Sequence, residues 1–159
     1  MNQKKFNKYV NFRIIALIPI LAVIIYSLNI FASGGNSNVN SAQGIQFRYI
    51  SMDEAIEIAK LENKVIFVDA YADWCGPCRR LARTTFLDSG VASLFNHNFI
   101  NVKMNIDQPL GKIFSHSYRI QSLPTLLFLD TSGNELQRTV GTIDPENLIT
   151  LASPLKSNK

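Results

Sequence analysis

The sequence predicts an α/β domain, a mixed central sheet with helices on both faces, preceded by one apolar N-terminal helix. Three observations predict it. Short β-branched and aromatic runs are interleaved with helix-periodic stretches in the order β-α-β-α-(α)-β-α-β-β-α, which builds a sheet covered on both sides. A predominantly apolar stretch, 14–32, stands apart from these elements near the N-terminus. The segment between, 33–44, is rich in Ser, Asn and Gly, as flexible linkers are. The 159 residues suffice for one domain and a short extra segment. A hydrophobic content of 47% suits a folded chain, and no internal repeat is visible.

The net charge of +4 is local. Lys4, Lys5, Lys8 and Arg13 supply it, and no acid precedes Asp53, so the rest of the chain is neutral. A nucleic-acid partner requires a basic face on the folded part, and none is expected here. A basic cluster before an apolar run is instead a membrane-orientation signal that keeps residues 1–13 cytoplasmic. As a helix, the 19 residues of 14–32 (IIALIPILAVIIYSLNIFA) span roughly 28 Å, close to a bilayer core. The competing reading is a cleaved signal peptide with Ile14 to Tyr26 as its apolar region and a small-residue site at Ala32 or Gly34. Both readings place the domain outside the cytoplasm, membrane-anchored or secreted. No Cys lies near the end of this segment, which excludes a lipid-modified Cys anchor.

The expected domain is 45–153, with 154–159 as a tail. Ile45, Phe47 and Tyr49 alternate with Gln46 and Arg48, which suggests a first strand. Ser51 and Glu54 have capping-box spacing, and Met52, Ala55, Ile56 and Ala59 share a helix face. Val65 to Val68 reads as a strand buried on both faces. Tyr71 to Arg83 leaves that strand, turns through Cys75-Gly76-Pro77-Cys78 and becomes helical. A second short helix follows Asp88. Ile100, Val102, Met104 and Ile106 alternate with Asn101, Lys103 and Asn105 in the next strand. Gly111 to Tyr118 follows as a helix. Thr125 to Leu129 and Leu136 to Val140 form a hairpin around Thr131-Ser132-Gly133-Asn134. Asp144-Pro145 caps and opens a last helix.

The two cysteines carry the chemistry. Bridging Cys75 to Cys78 closes a very short loop, where loop-closure stabilisation is smallest, so the pair suits redox chemistry better than stapling. Exchange needs a thiolate to attack a disulfide sulfur and a second thiol to resolve the mixed disulfide. Cys75 at a helix N-terminus meets unpaired N–H groups and the positive end of the dipole, and both stabilise a thiolate. Cys78 lies one turn further on. Pro77 fits the first helical turn, where a missing N–H costs little. Arg79 and Arg80 read first as a solvated basic face. A metal site is not expected: zinc usually takes four ligands, and only His97 and His116 add nitrogen, without matching spacing.

Trp74-Cys75-Gly76-Pro77-Cys78 between a buried strand and a helix, with Leu123-Pro124-Thr125 before a later strand, resembles the thioredoxin superfamily. The longer match, Tyr71-Ala72-Asp73-Trp74-Cys75 with Thr85-Phe86 and then Leu123-Pro124-Thr125, is similar to the C-terminal periplasmic domain of membrane thiol–disulfide interchange reductases. Gly76-Pro77 is the thioredoxin dipeptide rather than one typical of that interchange domain. The resemblance spans about Phe47 to Ala152 and implies a thioredoxin-like fold. It implies Cys75 as nucleophile, Cys78 as resolving thiol, and Asp69 as the buried acid that moves protons near the resolving cysteine. It also implies a cis peptide at Pro124 facing the cysteines, with Trp74, Gly76, Pro77, Leu123 and Pro124 on the substrate side. The plain alternatives are a strand-end Asp69 reaching water, an ordinary strand-leading Pro124 and a Trp74 that is simply core aromatic. The expected activity is reduction of disulfides in exported proteins, with the Cys75–Cys78 disulfide as the only redox group and a transmembrane thiol electron donor as partner. An oxidant acting in the opposite direction and a non-catalytic binding or chaperone module are the alternatives.

Overall fold

The structure, a computed structural model, describes residues 44–156. The basic leader, the segment 14–32 and all of the 33–44 stretch except Gly44 lie outside the described residues. Among the described residues no helix is long and apolar enough to cross a membrane.

Helix α1 is Met52–Glu62. The Ser51 hydroxyl caps it by accepting from the Glu54 N–H at 3.2 Å, and Asn63 ends it in the left-handed region, φ 50°. Strand β1 is Val65–Tyr71 and helix α2 is Gly76–Arg83. A 3-10 turn, Thr85–Leu87, leads to α3, Ser89–Asn98, whose cap Asp88 accepts from the Val91 N–H at 2.9 Å. Strand β2 is Phe99–Asn105 and helix α4 is Pro109–Ser117. Strands β3, Thr125–Leu129, and β4, Glu135–Val140, form the expected hairpin. In its turn one Asp130 carboxylate oxygen accepts from both the Ser132 and Asn134 N–H groups, and Gly133 takes a φ of 85° that only glycine adopts freely. Helix α5, Pro145–Ala152, starts at Asp144 as expected.

The sheet order is β2-β1-β3-β4. β1 and β2 are parallel, because α2 and α3 carry the chain back between them. β3 runs antiparallel to β1, and β4 antiparallel to β3. The central strands β1 and β3 are buried on both sides, which is why they read as continuous apolar runs. Phe67 and Phe128 face α2, α3 and α5 in one cluster with Leu81, Phe95 and Leu148. Ile66, Val68 and Leu127 face the other way, toward Ala55 and Ala59 of α1 and Phe114 of α4. Phe67 stands at the centre of the first layer, with ring centroids of Phe47, Phe86, Phe95 and Phe128 4.6 to 6.2 Å away.

Four details differ from the sequence reading. The expected first strand is a single parallel bridge, Arg48 to Val102. Its backbone bonds go elsewhere: the Ile45 N–H to the Phe86 carbonyl and the Gln46 N–H to the Asn96 side chain, so no ladder extends. Asn101 and Lys103, read as the polar side of β2, are covered. Asn101 is buried and donates to the Phe95 carbonyl, because α3 and the 45–48 segment close over that side. Gly44, assigned to the linker, packs against the domain: a Cβ there would lie 2.1 Å from the Phe86 carbonyl oxygen. The packed fold also runs past 153, through a 3-10 turn at Ser153–Leu155 whose Leu155 rests on the core.

Candidate active site

Parallel pairing brings the C-terminal ends of β1 and β2 level, Tyr71 opposite Asn105. The loops leaving these ends therefore meet at one edge of the sheet, where ligand sites of α/β folds commonly form. Beyond Tyr71, Ala72 accepts from the Cys75 N–H at 3.1 Å, which turns the chain into α2. Cys75 is the N-cap of α2, and Pro77 occupies its first turn. Cys75 and Cys78 are joined in a disulfide, S–S 2.07 Å, and the Cys78 N–H points at the Cys75 sulfur at 3.2 Å. That N–H is one of the unpaired donors of the helix start, aimed at the atom that carries charge in a thiolate.

The two cysteines are 3% and 5% exposed and form a small apolar cluster with Ala72, Tyr71, Ile106 and Leu123. Around this sealed disulfide the rim is open. Gly76 and Pro77 are exposed, and a Cβ on Gly76 would meet nothing nearer than Arg79 at 4.0 Å. Trp74 is 68% exposed, so it is not a core aromatic; its indole N–H donates to Asp107 at 2.9 Å. Asp73 is exposed and accepts from the Asn105 amide. Arg79 donates to the Asp73 carbonyl, so it braces the loop before the cysteines. The Leu123–Pro124 peptide is cis, Leu123 touches the cysteine cluster, and the Pro124 carbonyl accepts from the Gly141 N–H at 2.8 Å.

Asp69 does not reach water. It is 1% exposed in the middle of β1, on the face that carries Phe67, and Phe67 shares a cluster with Leu81, three residues beyond Cys78. One carboxylate oxygen accepts from Lys103 Nζ at 2.7 Å; the other is buried with no hydrogen-bond partner. Burial pushes the Asp69 carboxyl above the ordinary carboxylate range, and the Lys103 charge only partly opposes it. The Lys103 ammonium lies over the rings of Tyr71, Phe47 and Phe86, 4.6 to 5.5 Å from their centroids.

The structure thus brings Cys75, Cys78 and Leu123 into contact, sets Trp74, Gly76 and Pro77 on the open rim, and buries Asp69 within β1 against Lys103. Sequence reasoning missed Lys103, Ile106 and Asp107. The signal for the last two was the parallel pairing itself: residues just after β2 must lie beside those just after β1, and the Ile106 N–H bonds the Tyr71 carbonyl at 2.9 Å. Lys103 had the opposite signal, since alternation placed it on the solvent side.

Known proteins give the same picture. A family model described as a thioredoxin-like domain matches residues 52–153. A thiol:disulfide interchange protein DsbD of Colwellia psychrerythraea is 33% identical over 114 residues, covering 67% of this chain and 19% of that protein. The chain therefore corresponds to about a fifth of the length of that relative. A solution structure of a putative disulphide-isomerase from Bacteroides thetaiotaomicron is 40% identical, with a TM-score of 0.64, and covers 76% of this chain and 100% of its own. The oxidised C-terminal domain of DsbD from Neisseria meningitidis shares the fold at 18% identity and a TM-score of 0.57, covering 69% of this chain and 100% of its own. With a cysteine pair bridged at the mouth of α2 and a matching domain over most of the folded part, the chain belongs to the thioredoxin-like family of thiol–disulfide oxidoreductases.

Proposed function

We propose that this protein reduces disulfides of exported proteins outside the cytoplasm. One observation carries the exchange chemistry: the Cys75–Cys78 disulfide at the N-cap of α2, with the Cys78 N–H directed at the Cys75 sulfur. In the dithiol form that N–H and the helix dipole favour the Cys75 thiolate. The thiolate attacks one sulfur of a substrate disulfide, forming a mixed disulfide and releasing the other substrate sulfur as a thiolate. Cys78 then loses its proton and attacks the Cys75 sulfur. The internal disulfide forms, the second substrate thiolate leaves, and two electrons have passed to the substrate. Asp69 is the group that takes the Cys78 proton: burial raises its affinity for protons, as a proton acceptor in such a relay requires. The cis Leu123–Pro124 segment beside the cysteines docks the substrate chain, with Trp74, Gly76 and Pro77 as the rest of the rim.

The extracytoplasmic location rests on the basic leader followed by the apolar segment 14–32. The reductive direction rests on the Gly76-Pro77 dipeptide, and a thiol:disulfide interchange protein among the relatives fits a role in passing electrons onward. Turnover requires a dithiol reductant, and a membrane-spanning thiol donor supplies electrons on that side. The test is the reduction potential of the full chain in glutathione or dithiothreitol buffers, read by Trp74 fluorescence. A value near the thioredoxin end, about −270 mV, is expected. A value near the strong oxidants, about −120 mV, reverses the direction of electron flow. No reversible two-electron transition leaves only a binding module.

A further inference from the structure

Beside the disulfide lies a feature that the exchange chemistry does not use. Ile106 touches the cysteine cluster and also lines an open cleft of about 690 Å³. Lys112, His116 and Arg119 line the same cleft. Lys112 and His116 are four residues apart on α4, so they share one helix face, and Arg119 follows just past the helix end. All three are exposed. Ile120 and Gln121 continue the wall toward Leu123 and Pro124.

Two observations bear on this wall. Among the described residues Lys112 and Arg119 have no ion pair, as is also true of Arg79, Arg80, Arg83 and Lys156, whereas Arg48, Lys60, Lys64, Lys103 and Arg138 each have one. What distinguishes Lys112 and Arg119 is that they line a cleft beside the cysteine cluster. No carboxylate lines the cleft, and Asp107, the acid next to Ile106, is engaged by the Trp74 indole. The second observation is the backbone. Arg119 takes a left-handed φ of 51° one residue beyond the C-cap Tyr118, a position where glycine is the least strained residue. An arginine in that conformation places modest backbone strain at the edge of the cleft.

We infer that this cleft docks an acidic polypeptide segment flanking the disulfide of the partner protein, with Lys112 and Arg119 determining specificity. The inference rests on the exchange function proposed above. A chain that lies along Leu123–Pro124 while its sulfur meets Cys75 continues past Gln121 and Ile120 into the basic wall. Cations spread along an open cleft attract a run of carboxylates and speed association. A single small anion needs donors converging in a desolvated pocket, and these three side chains are exposed.

The test uses the full chain in its dithiol form, mixed by stopped flow with peptides that hold one cystine flanked by Asp, by Ser or by Lys. The Asp-flanked peptide is expected to react about tenfold faster than the Lys-flanked one at low salt, with the gap closing toward ~0.5 M salt. K112E/R119E is expected to invert that order and leave the Ser-flanked rate and the reduction potential unchanged. R119G, which relieves the backbone, is expected to keep the fold and lower the preference two- to threefold, on the order of one screened charge pair. Equal rates for the three peptides, or an order that survives the charge reversal, overturns the inference. Inorganic phosphate that slows the Asp-flanked peptide more than chloride at equal ionic strength also overturns it, by assigning the cations to a small anion. Reaction with the Ser-flanked peptide but no charge preference overturns this inference alone; reaction with none of the peptides overturns the proposed function as well.

Discussion

Asp69 and Lys103 face each other across the parallel strands β1 and β2, Nζ to Oδ2 2.7 Å, with the carboxylate 1% exposed. Two effects compete there. The ammonium favours the ionised acid, and removal from water disfavours it; removal from water is the larger. The acid therefore holds its proton to higher pH in the folded chain than in the unfolded one. Between the ordinary value of 3.8 and the raised value the folded state binds more protons, so this group makes stability fall as pH rises through that window. Glu62, Asp130, Glu135 and Asp144 are lowered by their hydrogen-bond partners and contribute the opposite slope, stability lost as pH falls. Asp69→Asn isolates the first effect. Relative to the natural chain its urea midpoint is expected to improve steadily as pH rises above about 4, approaching a plateau above the raised value. A constant difference across pH contradicts the assignment.

Lys103→Met removes the charge that, among the described residues, opposes the effect of burial on Asp69, and keeps an apolar stem among Phe47, Tyr71 and Phe86. The protonated-carboxyl infrared band of Asp69 is then expected to persist to higher pH than in the natural chain. Disulfide exchange at neutral pH should slow by about tenfold if proton transfer through Asp69 limits it. An unmoved band shows that Lys103 does not control this acid.

The two sulfurs are not equivalent in the proposed mechanism, and single substitutions separate them. Cys75→Ser is expected to abolish exchange. Cys78→Ser keeps the nucleophile but lacks the resolving thiol, so a Cys75–substrate adduct should accumulate and be visible by mass spectrometry under non-reducing conditions. Adducts forming on Cys78 in the Cys75→Ser chain instead would exchange the two roles.

Glycines 111 and 76 have opposite steric settings. A Cβ on Gly111 would lie 1.7 Å from the Asn105 carbonyl oxygen, because α4 packs directly onto the end of β2. Backbone cannot yield as a side chain can, so Gly111→Ala is expected to destabilise by about 3 kcal/mol, read as a lower urea midpoint at constant m-value. Gly76→Ala has open space and should stay within about 0.5 kcal/mol of the natural chain.

Trp74 is the one tryptophan, and its N–H bond to Asp107 is exposed. Asp107→Ala should change stability by less than about 1 kcal/mol. It should nonetheless shift the emission of the oxidised protein, because it frees the indole beside the disulfide. An unchanged spectrum means the bond is not formed in solution.

The sequence by itself determined the architecture where local chemistry and burial agree. The Ser51, Asp88 and Asp144 caps, the doubly buried β1 and β3 and the hairpin at Gly133 are all written in residues a few positions apart. The cysteine pair was legible for the same reason: strand, turn, N-cap and dithiol occupy one continuous segment. Tertiary structure decided what depends on distant partners. Phe47 and its neighbours form a bridge instead of a strand because Ile45 and Gln46 bond to Phe86 and Asn96. Lys103 reads as a solvent-facing lysine, since alternation cannot show that a segment 55 residues earlier will fold over it beside a buried acid. Periodicity reports which side of a strand is polar. Whether that side meets water or another part of the chain is set by packing, and at β2 packing put a charge pair there.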